Sequence, residues 1–225
     1  MMNWIKRGLI FSTGAVIGSQ VGIRLLLRFH PVATPSIVTP LMDYPLRRIY
    51  RDAGETLDFV GIHTNATLLD AGCGTGLFSI EAARRVGPGG TVYAVDFQPQ
   101  LIARIARRAQ AAELHNIQAT LAPVHELPLP SNSIDAALMI SVLPMLPSKA
   151  VALGEIKRVL KPGGVLVVGE ELPEPEYVRP VTICRWAEQA GFRLVERNGN
   201  AFAYLLRFVK PIDPKRVGKN IIRQA

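Results

Sequence analysis

The sequence predicts a Rossmann-like α/β domain: a doubly wound, seven-stranded sheet, mostly parallel, with an antiparallel C-terminal edge hairpin, plus an N-terminal hydrophobic helix. Three observations predict it. Strand and helix patterns alternate from residue 67 to residue 190; a glycine-rich turn, Gly72-Cys73-Gly74-Thr75-Gly76, follows the first strand; and two apolar runs joined by Asn198-Gly199-Asn200 come last. Alternating segments require crossover connections, which are right-handed and make the strands parallel, whereas a short glycine turn between two strands makes them antiparallel.

Each element has its own signal. Thr67–Asp70 is a β-branched and leucine run, and Leu77–Val86 shows helical spacing through Leu77, Ile80, Ala83 and Val86. Gly87-Pro88-Gly89-Gly90 stops that helix, and Thr91–Val95 is a second strand ending at Asp96. Pro99–Ala112 is a helix with a basic face, Arg104, Arg107 and Arg108, and Asn116–Leu121 is a third strand. After the turn Pro130-Ser131-Asn132-Ser133 comes a fourth strand, Ile134–Ile140. Ala150–Leu160 is a helix stopped by Pro162-Gly163-Gly164, which feeds a fifth strand, Val165–Gly169. A last helix, Pro180–Ala190, precedes the hairpin strands Phe192–Arg197 and Phe202–Phe208.

The chain in front of this body is different in kind. Gly8–Ile23 is a sixteen-residue stretch without a charge, about 24 Å long as a helix and apolar on all sides, flanked by Trp4, Lys6, Arg7, Arg24 and Arg28. It reads as a membrane anchor making contact through residues 4–29, with a helix packed on the protein's own domain and a secretory signal as the other readings. The divisions are therefore 1–30 for the hydrophobic helix, 31–43 for a Pro-rich linker with Pro31, Pro35 and Pro40, 44–211 for the α/β domain and 212–225 for a basic tail.

Charge follows the same division. Residues 1–51 carry seven Lys/Arg against one acid and residues 207–225 six against one, while residues 52–206 carry thirteen bases against sixteen acids. Basic ends on an acidic body suit an anionic membrane surface better than nucleic acid, which would draw the positive charge to the active domain. An apolar fraction of 48% excludes a disordered chain, and two cysteines, Cys73 and Cys184, are too few for a disulfide framework or a zinc set.

The chemistry is carried by Asp70-Ala71-Gly72-Cys73-Gly74-Thr75-Gly76 and by Asp96, an acid ending each of the first two strands. Glycines let a backbone approach a ligand, a helix opening at Leu77 offers N–H groups, and a carboxylate at the second strand's tip can accept both hydroxyls of a ribose. The dinucleotide fingerprint has a further glycine three places after its second; counted from Gly74 that place is Leu77, which speaks against NAD or FAD.

With LLDAGCGTG at 68–76, VYAVD at 92–96, LPLPSNSIDAALM at 127–139 and RVLKPGG at 158–164, the chain resembles the class I S-adenosylmethionine-dependent methyltransferases, over roughly residues 40–210. The segment Tyr44–Asp52 with VGPGGTVYAVDFQP is similar to a small-molecule, type 11-like branch. The resemblance implies S-adenosyl-L-methionine as cofactor. It implies contacts with the methionine part from Asp70, Ala71, Gly72, Cys73, Gly74 and Gly76, with the ribose from Asp96, and with the adenine from Phe97. Where the family usually has an acid after the third strand this chain has Pro123, which leaves the adenine to backbone around Val124 or to His125. Ser141, after the fourth strand, would line the meeting point of cofactor and substrate.

Other residues have competing readings. Cys73 is a small space-filler, and Arg47, Arg48 and Arg51 are either a solvated helix face or a clamp for an anionic group. Tyr44, Arg47 and Tyr50 are candidate substrate contacts, the tyrosines as an aromatic wall for a sulfonium. Glu170, Glu171, Glu174 and Glu176 fall after the fifth strand, on the ligand-facing rim, and His125 and Glu171 are the candidate general bases; no metal set is evident. The expected activity is methyl transfer to a hydrophobic, membrane-presented small molecule such as a lipid or quinone, with the catalytic domain in the cytoplasm. The alternatives are a soluble, cytoplasmic small-molecule methyltransferase whose N-terminal helix is a lid or dimer contact, and a non-catalytic cofactor-binding module. The oligomeric state is not legible.

Overall fold

The computed structural model of the protein describes residues 51–172, 174 and 176–212. The hydrophobic stretch 1–30, the linker 31–43, the candidate contacts Tyr44, Arg47 and Tyr50, and the tail from 213 lie outside the described residues. Among the described residues no helix is long and apolar enough to cross a membrane.

The chain runs α1 (Ala53–Val60), β1 (Thr67–Ala71), α2 (Leu77–Val86), β2 (Thr91–Asp96), α3 (Pro99–Ala111), β3 (Ile117–Leu121) and β4 (Ile134–Ile140). It continues with a short 3₁₀ turn (Leu143–Met145), α4 (Lys149–Val159), β5 (Leu160–Glu171), α5 (Pro180–Gln189), β6 (Arg193–Gly199) and β7 (Ala203–Val209). The seven strands form one sheet in the order β3-β2-β1-β4-β5-β7-β6. β1 pairs in parallel with both β2 and β4, and β7 is antiparallel to β5 and β6. The strand order thus reverses at β1, between β2 and β4, and the crevice outside the carboxyl ends of those strands is where ligands bind in such sheets.

Two apolar layers fix the helices on the sheet. On one face Leu69, Val95, Met139, Leu166 and Val168 pack with Leu153, Ile156 and Val159 of α4 and Ile183 and Ala187 of α5. On the other, Leu68, Val92, Leu138 and Val167 pack with Leu57 and Val60 of α1 and Phe78, Ala82 and Val86 of α2. No helix joins β3 to β4. The connection is instead pinned by buried Ala122, Val124, Leu127 and Leu129, and Arg158 of α4 donates to the carbonyls of Leu127 and Leu129.

Two expectations are corrected. The fifth strand begins at Leu160 and ends at Glu171, so Lys161-Pro162-Gly163-Gly164 interrupts the strand instead of preceding it. The register shifts between Ile134 and Ala136, Gly163 takes a φ of 80°, and Gly163 N donates to Lys210 O while Lys210 N donates to Gly164 O. Turn residues here serve a β-bulge. Secondly, α1 has no counterpart in the sequence reading. Its N-cap is Asp52, whose carboxylate accepts from Glu55 N at 2.9 Å, and it ends on left-handed Gly61 with φ 73°.

Candidate active site

The glycine loop is held by its own chain before any ligand is considered. Gly72 N and Cys73 N both donate to Val95 O, at 2.8 and 2.9 Å, fastening the loop to the end of β2. Gly72, Gly74 and Gly76 have φ of 79°, 53° and 83°, a region that side chains with a Cβ enter at a cost. At two of them the space is also taken. A Cβ on Gly72 would lie 2.5 Å from Val142 Cγ2, and one on Gly76 would lie 2.6 Å from Ile105 Cδ1. These glycines are demanded by packing against the end of β4 and against α3, in addition to any close approach of a ligand. Gly76 is the N-cap of α2 and offers no side-chain cap. Arg108 of α3 reaches back to donate to Thr75 O.

Asp70 is 2% exposed and accepts from Ser79 Oγ, at 2.5 Å, in the first turn of α2. It therefore ties the end of β1 to the helix that the loop opens. Burial raises its carboxyl from 3.8 to about 6; hydrogen bonds from Ser79 oppose this, and nearby Asp96 adds to it. The folded protein thus holds this proton more tightly than the unfolded chain. Stability is lost as pH rises from about 4 through 6, by about 3 kcal/mol for a shift of this size. Asp70→Asn is expected to raise the urea midpoint of the ligand-free protein at about pH 8, with the gain shrinking as pH falls towards 4. A variant no more stable than wild type at the higher pH would show that the carboxylate is accommodated at no cost.

Asp96, 6% exposed, ends β2 with both oxygens engaged: Oδ2 accepts from Gly74 N at 3.1 Å and Oδ1 from Gln98 N at 3.0 Å. Burial raises this carboxyl too, against hydrogen bonds from Gln98, Gly74 and Phe97. Each carboxylate oxygen has a further acceptor position, so Asp96 can still receive donors from a ligand. Phe97, next in the chain, is 54% exposed and presents a ring beside this carboxylate. Ala71 is buried in the core and contributes backbone alone. Cys73 packs with Ala94 and Ile105, and burial, with Asp70 and Asp96 nearby, pushes its thiol far above the usual range. It is a space-filler, as the sequence suggests, and no thiolate nucleophile.

Val124 is buried and His125 is exposed, in the turn after β3. Ser141 follows β4 in left-handed backbone, φ 55°, with its N–H donating to Gly169 O at 2.8 Å. The strands leading to the two candidate bases, β3 and β5, stand four inter-strand spacings apart, about 19 Å. The two candidates lie on different parts of the chain, His125 in the connection from β3 to β4 and Glu171 at the end of β5.

The glutamates and Arg51 differ most from expectation. Glu170 and Glu171 belong to β5 itself. Glu171, fully buried, pairs with Arg51 Nε at 2.9 Å, and Arg51 Nη2 donates to the carbonyls of Glu170 and Tyr204. Arg51 is 5% exposed, so it is neither a solvated face nor a clamp for a ligand anion. A carboxylate committed to a buried guanidinium is removed from the candidate bases. Glu170 points to the other face and is 1% exposed, with no ionic partner among the described residues; burial, then Glu174 and Glu171, pushes its carboxyl well above the ordinary value, with Arg51 opposing. Sequence reasoning missed the structural use of Arg51, Ser79 and Arg108. The signals lay 120, 9 and 33 residues from their partners, beyond any local pattern.

The site is a backbone cradle at the switch point of a parallel sheet, flanked by two desolvated carboxylates, an exposed aromatic ring and a helix N-terminus without a side-chain cap. It fits a nucleoside ligand with a cationic end. A family model described as a methyltransferase domain matches residues 62–195, more than half of the chain. A demethylmenaquinone methyltransferase from Listeria welshimeri is 35% identical over 112 residues, 50% of this chain and 48% of that one. One from Geobacillus stearothermophilus is 30% identical over 155 residues, 68% of this chain and 57% of that one. The chain thus spans about half the length of these curated relatives. In structure it is similar to an S-adenosylmethionine-dependent methyltransferase from Aquifex aeolicus, with a TM-score of 0.74 and 24% identity over 79% of this chain and all of that one. With the glycine loop, Asp96 and the reversed strand order in place, the chain belongs to the class I S-adenosylmethionine-dependent methyltransferases.

Proposed function

We propose that this methyltransferase acts on a hydrophobic ring compound of the quinone type, presented from a membrane that residues 4–29 contact while the catalytic domain lies in the cytoplasm. The observation that carries the acceptor is the 35% identity, over 112 residues or half of this chain, to proteins named demethylmenaquinone methyltransferases. The short connection from β5, which ends at Glu171, to α5, which begins at Pro180, supports it, since no large cap is inserted there. The apolar stretch Gly8–Ile23 supports the membrane contact.

S-adenosylmethionine supplies a methyl carbon on a sulfonium, which an electron-rich atom can displace in line. The chain's own task is then positioning and exclusion of water, which needs no triad. In this reading Asp96 accepts hydrogen bonds from the ribose, Phe97 and the backbone at Val124 flank the adenine, and the loop Gly72–Gly76 with Ala71 receives the methionine end. Asp70 acts there by fixing the loop to α2.

Two measurements test this. Purified full-length protein in phospholipid vesicles containing demethylmenaquinol, given methyl-labelled cofactor, is expected to carry label into the quinone fraction; label confined to water-soluble acceptors would overturn the acceptor class. Asp96→Ala is expected to weaken S-adenosylhomocysteine binding by about 1–3 kcal/mol, the loss of hydrogen bonds to a charged acceptor. Unchanged affinity by calorimetry would remove Asp96 from the cofactor site.

A further inference from the structure

Among the described residues, two buried side-chain oxygens have no hydrogen-bond partner: Ser141 Oγ and Glu170 Oε1. An orphaned buried polar atom costs about 1–3 kcal/mol, so folded proteins keep few of them, and each calls for a cause. These two are neighbours in the sheet. Ile140 of β4 is in register with Gly169 of β5, and Ser141 N donates to Gly169 O, so Ser141 and Glu170 come next at adjoining carboxyl ends. Both stand where β4 and β5 open on the ligand crevice, one and two strands beyond the glycine loop on β1.

The groups around Glu170 explain its chemistry. Glu171 on the same strand is neutralised by Arg51, Glu174 and Glu176 follow in the chain, and Tyr204 lies opposite on β7 with its hydroxyl already donating to Val178 O. Burial among acids favours the neutral carboxyl, which brings an O–H donor as well as an acceptor. Ser141 brings a second hydroxyl. A pair of uncharged hydroxyl-bearing groups suits an uncharged oxygen on an apolar molecule and gives no purchase to an anionic head group.

We propose that Glu170 and Ser141 form a polar subsite for the methyl acceptor, receiving a neutral hydroxyl or carbonyl oxygen of a hydrophobic ring and orienting that ring at the mouth of the cofactor crevice. The proposal rests on the methyl-transfer reading and deepens it by naming the acceptor's chemistry.

The test uses full-length protein saturated with S-adenosylhomocysteine and two probes, 1-naphthol and naphthalene, which share a ring system and differ in one hydroxyl. Glu170→Leu is expected to lower 1-naphthol affinity by about tenfold or more while leaving naphthalene and S-adenosylhomocysteine within about twofold, and Ser141→Ala is expected to lower 1-naphthol affinity in the same direction. Glu170→Gln, of the same shape and able to hydrogen-bond, should stay within about threefold of wild type. Should the leucine variant not fold, infrared difference spectra decide. The carbonyl band of a protonated carboxyl, present in wild type and missing in Glu170→Gln, is expected to shift when 1-naphthol is added.

A band that does not move, 1-naphthol affinity that ignores residue 170, no 1-naphthol binding by wild type, or parallel loss of S-adenosylhomocysteine binding would each overturn the subsite. The quinone reading fails separately. Methylation of demethylmenaquinol with 1-naphthol binding indifferent to Glu170 keeps the function and ends the subsite, and the opposite pair of results keeps the subsite and ends the quinone.

Discussion

Arg51→Met is expected to destabilise the protein by about 3–5 kcal/mol, because it removes one partner of a fully buried ion pair with Glu171. The size follows from position. Arg51 sits just before the Asp52 cap of α1, and its guanidinium bridges from there to β5 and β7 through the Glu171 side chain and the carbonyls of Glu170 and Tyr204. Removing it takes a buried counter-charge from Glu171 and a donor from two carbonyls in a region where neither Arg51 nor Glu171 reaches water. The companion experiment separates the charge from the packing. Arg51→Met combined with Glu171→Leu removes both charges, and replacing a buried ion pair with apolar groups of similar volume is often close to neutral. The double variant is therefore expected to recover most of the loss, to within about 1–2 kcal/mol of wild type, in urea unfolding curves. A double variant as unstable as Arg51→Met alone would mean that the arginine works by its hydrogen bonds to the two carbonyls and that Glu171 bears no burden of its own.

This ion pair also marks where the sequence stops being legible. The parallel half of the fold is punctuated by residues whose local chemistry agrees with their use: Leu77–Val86 and Ile134–Ile140 have the ends that spacing and turn residues give them, and the hairpin at Asn198-Gly199-Asn200 joins antiparallel strands. β5 is the counter-example. Its Pro162-Gly163-Gly164 carries turn chemistry but lies inside a bulged strand, and its two glutamates have the composition of a loop yet are buried. Charged residues in a strand end are stabilised only by partners, and the partner of Glu171 is 120 residues away. The short helix α1 escaped for a different reason: Gly54 in its first turn weakens the helical signal that Asp52 and Gly61 otherwise frame.

The glycine loop was the most legible part of the site, and Gly72→Ala tests whether its glycines answer to the ligand or to the protein. A Cβ at residue 72 meets Val142 Cγ2 at 2.5 Å and Cγ1 at 2.9 Å, with φ at 79°. The left-handed backbone costs about 1–2 kcal/mol for an alanine, and overpacking adds about 1–3 kcal/mol. The expected loss of stability is about 2–5 kcal/mol, accompanied by loss of S-adenosylhomocysteine binding, because relief of the clash must move either the loop or Val142, which adjoins Ser141. The double variant Gly72→Ala with Val142→Ala removes the clashing methyl groups and leaves the backbone strain. It should regain the overpacking part and no more, a coupling that thermal unfolding of the single and double variants can read directly. Recovery of stability without recovery of binding would place the loop's backbone, beyond its packing, in contact with the cofactor. Recovery of both would make Gly72 a packing residue alone, and a Gly72→Ala protein of wild-type stability would mean that the end of β4 yields to the loop more readily than its buried valine suggests.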